Sequence, residues 1–250
     1  MTGTRVAILG AYGKMGTEAC AAVDGADDLE LVARVGSSDS LTALTDAAAT
    51  VAIDLTRPDT VLHNLEFCIR NGIHCVVGTS GFTPDRLETV RGWLADAPSV
   101  GVLVAPNFSI GAVLMMRFAA EAAVHFRSVE IVEYHNPAKA DAPSGTAART
   151  AELVAAARAA SGVPDSPDGT VHDPHGARGA TVDGVHVHGV RLSGAVAHQE
   201  VLLGGHQEIL TIRHDSLARG SFMPGVLLGV RTVGSRPGLT VGLEHYLGLT

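Results

Sequence analysis

The apolar run Arg5–Leu9 (RVAIL) ends in Gly10-Ala11-Tyr12-Gly13-Lys14-Met15-Gly16 and passes directly into the Ala-rich stretch Lys14–Ala22. A strand that turns into a helix through three glycines constrains the fold more than any other feature of the chain. Glycine lets backbone N–H groups approach a pyrophosphate, and the helix N-terminus adds partial positive charge. The spacing is GxxGxxG, because Tyr12 takes the middle place of the stricter GxGxxG. Taken alone, the loop equally fits a glycine-rich turn that binds nothing.

The strand–helix alternation continues through the first hundred residues. Strands are expected at Leu29–Val35, Val51–Leu55, His74–Val77 and Val100–Ala105, with a helix over Asp59–Asn71 and another starting at Thr83-Pro84. Thr is a good N-cap and Pro suits the first helical position. Strands alternating with helices predict an α/β fold with a doubly wound parallel sheet. Two further loops would leave strand ends on the ligand-binding edge of such a sheet: Gly78-Thr79-Ser80-Gly81-Phe82 and Ala105-Pro106-Asn107-Phe108-Ser109. Their small and amide side chains suit a nicotinamide ring and its carboxamide. The acid that commonly holds an adenosine ribose is not evident, because the second strand runs out as Arg34-Val35-Gly36-Ser37-Ser38-Asp39. Arg34, Lys14, Ser37 and Ser38 instead suggest tolerance of a phosphorylated ribose.

After Pro106 the pattern changes. Helices are expected over Ile110–His125, Thr146–Ala160 and Phe222–Val233, strands at Ser128–His135 and Leu239–Leu243, and a long polar surface loop over Ser161–Gly184. Val185–Leu192, Ala195–Leu203 and Glu208–His214 alternate with period two and are separated by turn residues, predicting an antiparallel meander. Too few helices remain to cover both of its faces, so self-association is the expected cover. The division expected is a dinucleotide-binding domain of residues 1–106 with 216–250, and a substrate-binding domain of residues 107–215, an α+β unit with a mixed or antiparallel sheet used for oligomerisation. Chemistry is expected between them.

Bulk properties exclude several classes. The net charge of −8 and the lack of a Lys/Arg cluster argue against nucleic acid. No apolar run is long enough for a membrane span. The N-terminus enters a strand without a signal peptide, and Cys20, Cys68 and Cys75 lack CxxC spacing, so buried thiols in the cytoplasm are expected. His186 and His188 share one side of a strand, but no Cys or carboxylate completes a metal site in sequence, so no metal is expected.

The densest chemistry lies in Glu133–Ala147, EYHNPAKADAPSGTA. His135 is able to donate a proton near neutral pH. Lys139 is able to neutralise a carboxylate or supply a proton. Ser144, Gly145 and Thr146 offer hydroxyls and N–H groups at a helix start, where a carboxylate is favoured. Asp141 is placed to orient this loop or pair with Lys139.

With these residues in view, the chain resembles the 4-hydroxy-tetrahydrodipicolinate reductase (dihydrodipicolinate reductase) family. The resemblance rests on GAYGKMG at Gly10–Gly16, DLTRPD at Asp54–Asp59, GTSGF at Gly78–Phe82, APNFS at Ala105–Ser109 and KADAPSGTA at Lys139–Ala147. HQEV at His198–Val201 and RHDSLARGSFMPGVLLGVR at Arg213–Arg231 extend it over nearly the whole chain. It implies an N-terminal Rossmann-like domain completed by the C-terminal tail, and a second α/β domain whose sheet assembles a homotetramer. It implies NADPH or NADH as reductant and a dicarboxylate cyclic imine as substrate, in lysine and diaminopimelate biosynthesis. His135 would be the acid/base, and Lys139 the proton donor and carboxylate partner. Gly145 and Thr146 would bind substrate with Ser144 beside them, while Gly10, Ala11, Tyr12, Gly13, Lys14, Met15, Gly78, Thr79, Ser80, Ala105, Pro106, Asn107 and Phe108 would hold the nucleotide.

Departures leave alternatives open. Asn136 stands where the family has a second, substrate-contacting histidine, Ala138 where a polar or basic residue is common, Gly36 where the ribose acid belongs, and GTSGF replaces GTTGF. Asn136 still donates a hydrogen bond but never becomes cationic. Three readings stand at this point: the lysine-pathway reductase, a diverged reductase of a related cyclic imine, and a non-catalytic nucleotide-binding sensor.

Overall fold

A computed structural model describes residues 3–248, and the chain divides into two units, Met1–Ile110 with Arg219–Thr250 and Gly111–Ala218. The first unit opens with β1 (Thr4–Leu9), α1 (Lys14–Asp24), β2 (Leu29–Val35), α2 (Thr42–Asp46), β3 (Val51–Asp54), α3 (Val61–Arg70), β4 (His74–Val77), α4 (Pro84–Ala95) and β5 (Gly101–Val104). Strands β3 and β5 are buried along their whole length and β4 from Cys75 onward, as short strands covered on both faces must be. Thr83 Oγ1 accepts the Arg86 N–H at the start of α4, with Pro84 in the first turn. The five-residue helix α2 is an addition to the expected pattern; its buried Leu44 closes the core beneath it.

The second unit holds α5 (Ile110–Ala123), β6 (Ser128–His135), α6 (Gly145–Ala160), β7 (Ala180–Val182), β8 (Val185–Arg191), β9 (Ala197–Gly204) and β10 (Ile209–Ser216). Its strand order is β10-β9-β6-β8-β7. The expected meander is therefore corrected. β9 and β10 form an antiparallel hairpin, but β8 does not pair with β9. β6, from earlier in the chain, is inserted between them, parallel to β8 and antiparallel to β9. The segment after β8 steps across the end of β6, where Leu192 N–H donates to the His135 carbonyl at 2.9 Å. Local turn residues do not reveal which distant strand fills the gap. A second correction is β7, which pairs antiparallel with β8 inside the stretch expected to be loop throughout.

One face of this sheet packs on α5 and α6 through Ala119, Ala123, Ala147, Ala151 and Val154 against Val129, Ile131, Val187, Val201 and Leu203. The other face mixes Val132, Tyr134 and Leu202 with His186, His188, Glu130 and Glu200, by strand parity and register. It is thus less apolar than the sequence pattern suggests. His188 Nε2 meets Glu130 at 2.7 Å and His186 Nε2 lies 3.3 Å from Asp168, so each ring faces its own carboxylate.

The chain then returns to the first unit with α7 (Met223–Val233) and β11 (Gly238–Val241). β11 extends the first sheet beside β5, giving the all-parallel order β11-β5-β4-β3-β1-β2. Cys20, Cys68 and Cys75 are buried free thiols. Among the described residues, no helix is long and apolar enough to cross a membrane.

Candidate active site

In the first unit, β1, β3, β4 and β5 are consecutive neighbours, so the loops at their carboxyl ends line one edge of the sheet. The glycine loop is shaped by the protein itself. Gly10 has φ +78°, and a Cβ there would lie 2.6 Å from the Leu55 carbonyl oxygen. A Cβ on Gly16 would sit 2.0 Å from the Gly10 carbonyl oxygen. These two glycines let α1 start hard against β1. Gly13 is the N-cap of α1; no side chain caps this helix and no acid stands in its first turn. Its first N–H groups thus remain for an external anion.

Gly78 lets two other loops converge, since a Cβ there would come within 2.8 Å of both Leu55 and Phe108. Thr79 Oγ1 donates to Asp54 Oδ1 at 2.7 Å. The same buried carboxylate accepts Thr56 N–H at 3.0 Å, Thr56 Oγ1 at 2.6 Å and Asn64 Nδ2 at 2.8 Å. Asp54 therefore fixes the loops after β3 and β4 to one another, a role sequence spacing left unread. Ser109 N–H closes on Asn107 Oδ1 at 2.8 Å, and Phe108 is buried.

Exposed Tyr12 lies beside Gly36, where a Cβ would approach its ring to 2.9 Å. That contact accounts for glycine at the position of the missing ribose acid. An acid returns three residues later, as Asp39 Oδ2 accepts the Gly36 N–H at 2.8 Å. Arg34 is paired with Asp24 at 2.6 Å. The open helix start, the glycine approach and the convergent loops fit a dinucleotide.

In the second unit, strand parity builds a second cluster of polar side chains. Val129, Ile131 and Glu133 form the buried row of β6, and His135 continues that row to the strand end. Glu133 is fully buried, and its carboxylate pairs with His135 Nδ1. Arg191, opposite His135 on β8, grips the carboxylate with Nη1 on Oε2 and Nη2 on Oε1, both at 3.0 Å. Ser144 N–H adds a third donor at 3.2 Å on Oε1. Burial pushes the Glu133 carboxyl up, but the hydrogen bonds from Arg191 and His135 outweigh it and hold it below its ordinary value.

The loop after β6 is a tight turn: Asn136 Oδ1 accepts Ala138 N–H at 3.0 Å, and Lys139 N–H donates to the Asn136 carbonyl. Lys139 Nζ reaches Asp141 Oδ1 at 2.8 Å. Ser144 caps α6 through Oγ on Ala147 N–H at 3.2 Å. Ser144 is buried, so it shapes the turn, whereas Gly145 and Thr146 in the first turn are more accessible. A Cβ on Gly145 would meet nothing within 4 Å. Glu133 and Arg191 were not among the residues singled out by sequence. A glutamate in a buried strand row was the available signal for the first; Arg191 comes close only through the β6–β8 pairing.

The glycine turn and convergent loops of the first unit are those of an NAD(P)H-dependent oxidoreductase. Residues 4–108 match the profile "Dihydrodipicolinate reductase, N-terminus" and residues 111–247 match "Dihydrodipicolinate reductase, C-terminus". The chain belongs to the dihydrodipicolinate reductase family. It is 61% identical over 249 residues to 4-hydroxy-tetrahydrodipicolinate reductase of Streptomyces griseus, with all of both chains covered. It is 62% identical to the Nocardia farcinica protein of that name, over 98% of this chain and 99% of the relative. Among solved structures, dipicolinate-bound dihydrodipicolinate reductase from Paenisporosarcina sp. TG-14 superposes with a TM-score of 0.86 at 37% identity, covering 97% of this chain and 99% of that one.

Proposed function

We propose that this chain reduces 4-hydroxy-tetrahydrodipicolinate to tetrahydrodipicolinate in lysine and diaminopimelate biosynthesis, binding the nucleotide on its first unit and the substrate on the β6–α6 connection. The observation that carries this is His135 paired with buried Glu133, with Lys139 and the start of α6 on the same connection. A reduced nicotinamide, when bound, supplies the hydride for the substrate's unsaturated ring carbon. Gly10–Met15 would hold its pyrophosphate, and Gly78–Ser80 with Ala105–Phe108 its nicotinamide end. His135 serves as acid/base. Lys139 neutralises one substrate carboxylate and supplies a proton on that side. The N–H groups of Gly145 and Thr146 receive a carboxylate, and the Asn136 amide donates to it.

The full-length identity to reductases of this name supports this substrate over a diverged imine, and retention of His135 and Lys139 weighs against a sensor. The reductant is either NADH or NADPH: Asp39 and Arg34 at the end of β2 are opposite in sign, and each is engaged within the chain. Buried free cysteines suit the cytoplasm. The outer face of the second sheet supports assembly into a homotetramer, which sedimentation would check.

A coupled assay tests the reading, using aspartate semialdehyde, pyruvate and the upstream synthase with each cofactor. Rapid cofactor oxidation is expected, with kcat/KM for the two nucleotides within about tenfold, that is about 1.4 kcal/mol. His135→Gln should lower kcat by about 10²–10⁴ with little change in cofactor Kd. Unchanged kcat would remove His135 from this role.

A further inference from the structure

We propose that Glu133 and Arg191 are positioning residues for His135, setting the tautomer in which it handles the reaction's proton. This rests on the reading of His135 as the acid/base. A carboxylate accepts hydrogen bonds, so the imidazole nitrogen that meets Glu133, Nδ1, carries the proton in the neutral ring. That leaves Nε2 as the nitrogen that exchanges a proton with substrate.

Glu133 alone would be poorly suited to this. A fully buried carboxylate without a cation would tend to neutralise and would then compete as a donor. Arg191 prevents this with its two-pronged grip at 3.0 Å on both oxygens. The same guanidinium donates to the Asp141 carbonyl at 2.8 Å, tying the Lys139 loop to the same carboxylate. Ser144 N–H ties in the start of α6. One buried carboxylate therefore sets the register of the acid/base, the ammonium loop and the carboxylate-binding turn. Gly189 makes room for it: a Cβ there would press to 3.2 Å of Glu133 Oε1 and lie 3.6 Å from Arg191 Nη1. The charged groups around His135 are Glu133 on its own strand, Arg191 on β8, and Asp141 with Lys139 in the following loop.

The test combines imidazole ¹⁵N spectra of the unliganded protein with kinetics across pH, for wild type, Glu133→Gln, Arg191→Lys and His135→Gln. In wild type, neutral His135 should be the Nδ1–H tautomer. In Glu133→Gln that preference should weaken and kcat should fall about 10- to 100-fold, a larger change than any rise in substrate KM. The pH profile of kcat/KM should change as well, because a charged neighbour of the reacting imidazole is gone. Arg191→Lys should shift all three readouts in the same direction by a smaller amount. If Glu133→Gln fails to give a cooperative melt, Arg191→Lys decides alone. Wild-type tautomer, kcat and pH profile in the folded variants, with His135→Gln inactive, would overturn this inference and leave the function standing. Full activity in His135→Gln would overturn both.

Discussion

Lys139 Nζ lies 2.8 Å from Asp141 Oδ1, so the ammonium proposed to receive a substrate carboxylate already holds a carboxylate of its own chain. The hydrogen bond from Lys139, against a small opposing effect of burial, holds the Asp141 carboxyl below its ordinary value. Asp141 is 60% exposed, so the pair is weak and a dianionic substrate is able to displace it. Asp141→Asn should therefore lower substrate KM, by up to about fivefold given the 0.2–1 kcal/mol typical of exposed pairs. The effect should shrink in high salt. Steady-state kinetics at two ionic strengths checks both; a raised KM would show that Asp141 orients the loop instead.

Asn136 spends its side-chain oxygen on the Ala138 N–H, so this neutral residue has a structural role in the turn. Asn136→His should lose this turn bond, at about 0.5–1 kcal/mol of stability. It should also add a cation at acidic pH. Dipicolinate should then bind roughly tenfold tighter at pH 6 than to wild type, with a smaller gain at pH 8. Calorimetry at the two pH values reads this directly.

Gly145 opens α6 although its surroundings within the chain do not require glycine. Glycine costs up to about 1 kcal/mol relative to alanine in a helix. Gly145→Ala should leave Tm unchanged or raise it slightly while raising substrate KM severalfold, because the new methyl would occupy space proposed for a ligand carboxylate. A thermal melt with kinetics on the same sample separates the two. A lower Tm with unchanged KM would place the glycine's value in folding alone.

His74 Nδ1 accepts the Gly101 N–H at 3.0 Å, joining β4 to β5, and burial pushes its pKa below the ordinary 6.5. On acidification the unfolded chain therefore takes up this proton before the folded one does. Stability should fall as pH drops through about 6.5 and keep falling until the folded form also titrates. His74→Asn keeps an acceptor without a titratable ring. Its Tm difference between pH 7.5 and 5.5 should be smaller than that of wild type in parallel melts.

Much of the first unit was legible because parallel α/β structure writes itself locally. Each buried strand is a short apolar run, Gly13 marks the start of α1, and Thr83-Pro84 marks α4 without outside help. The β6–α6 connection was legible for the same reason, since His135, Lys139 and Ser144–Thr146 lie within twelve residues of one another. Gly36 was harder to read. Its cause is the ring of Tyr12, more than twenty residues away, and the acid beside it is Asp39 folded back by its own turn.

By itself, then, the sequence determined the alternation of elements, the glycine turn after β1 and which polar side chains lie together on the β6–α6 connection, all set by short-range covalent spacing. Tertiary structure decided what those side chains touch. Inserting β6 between β8 and β9 replaced the expected meander and brought Arg191 onto Glu133 from 58 positions away. The physical reason is that strand order is chosen by where buried faces and backbone hydrogen bonds are satisfied over the whole sheet. That global balance leaves no mark in the local alternation of Val185–Leu203.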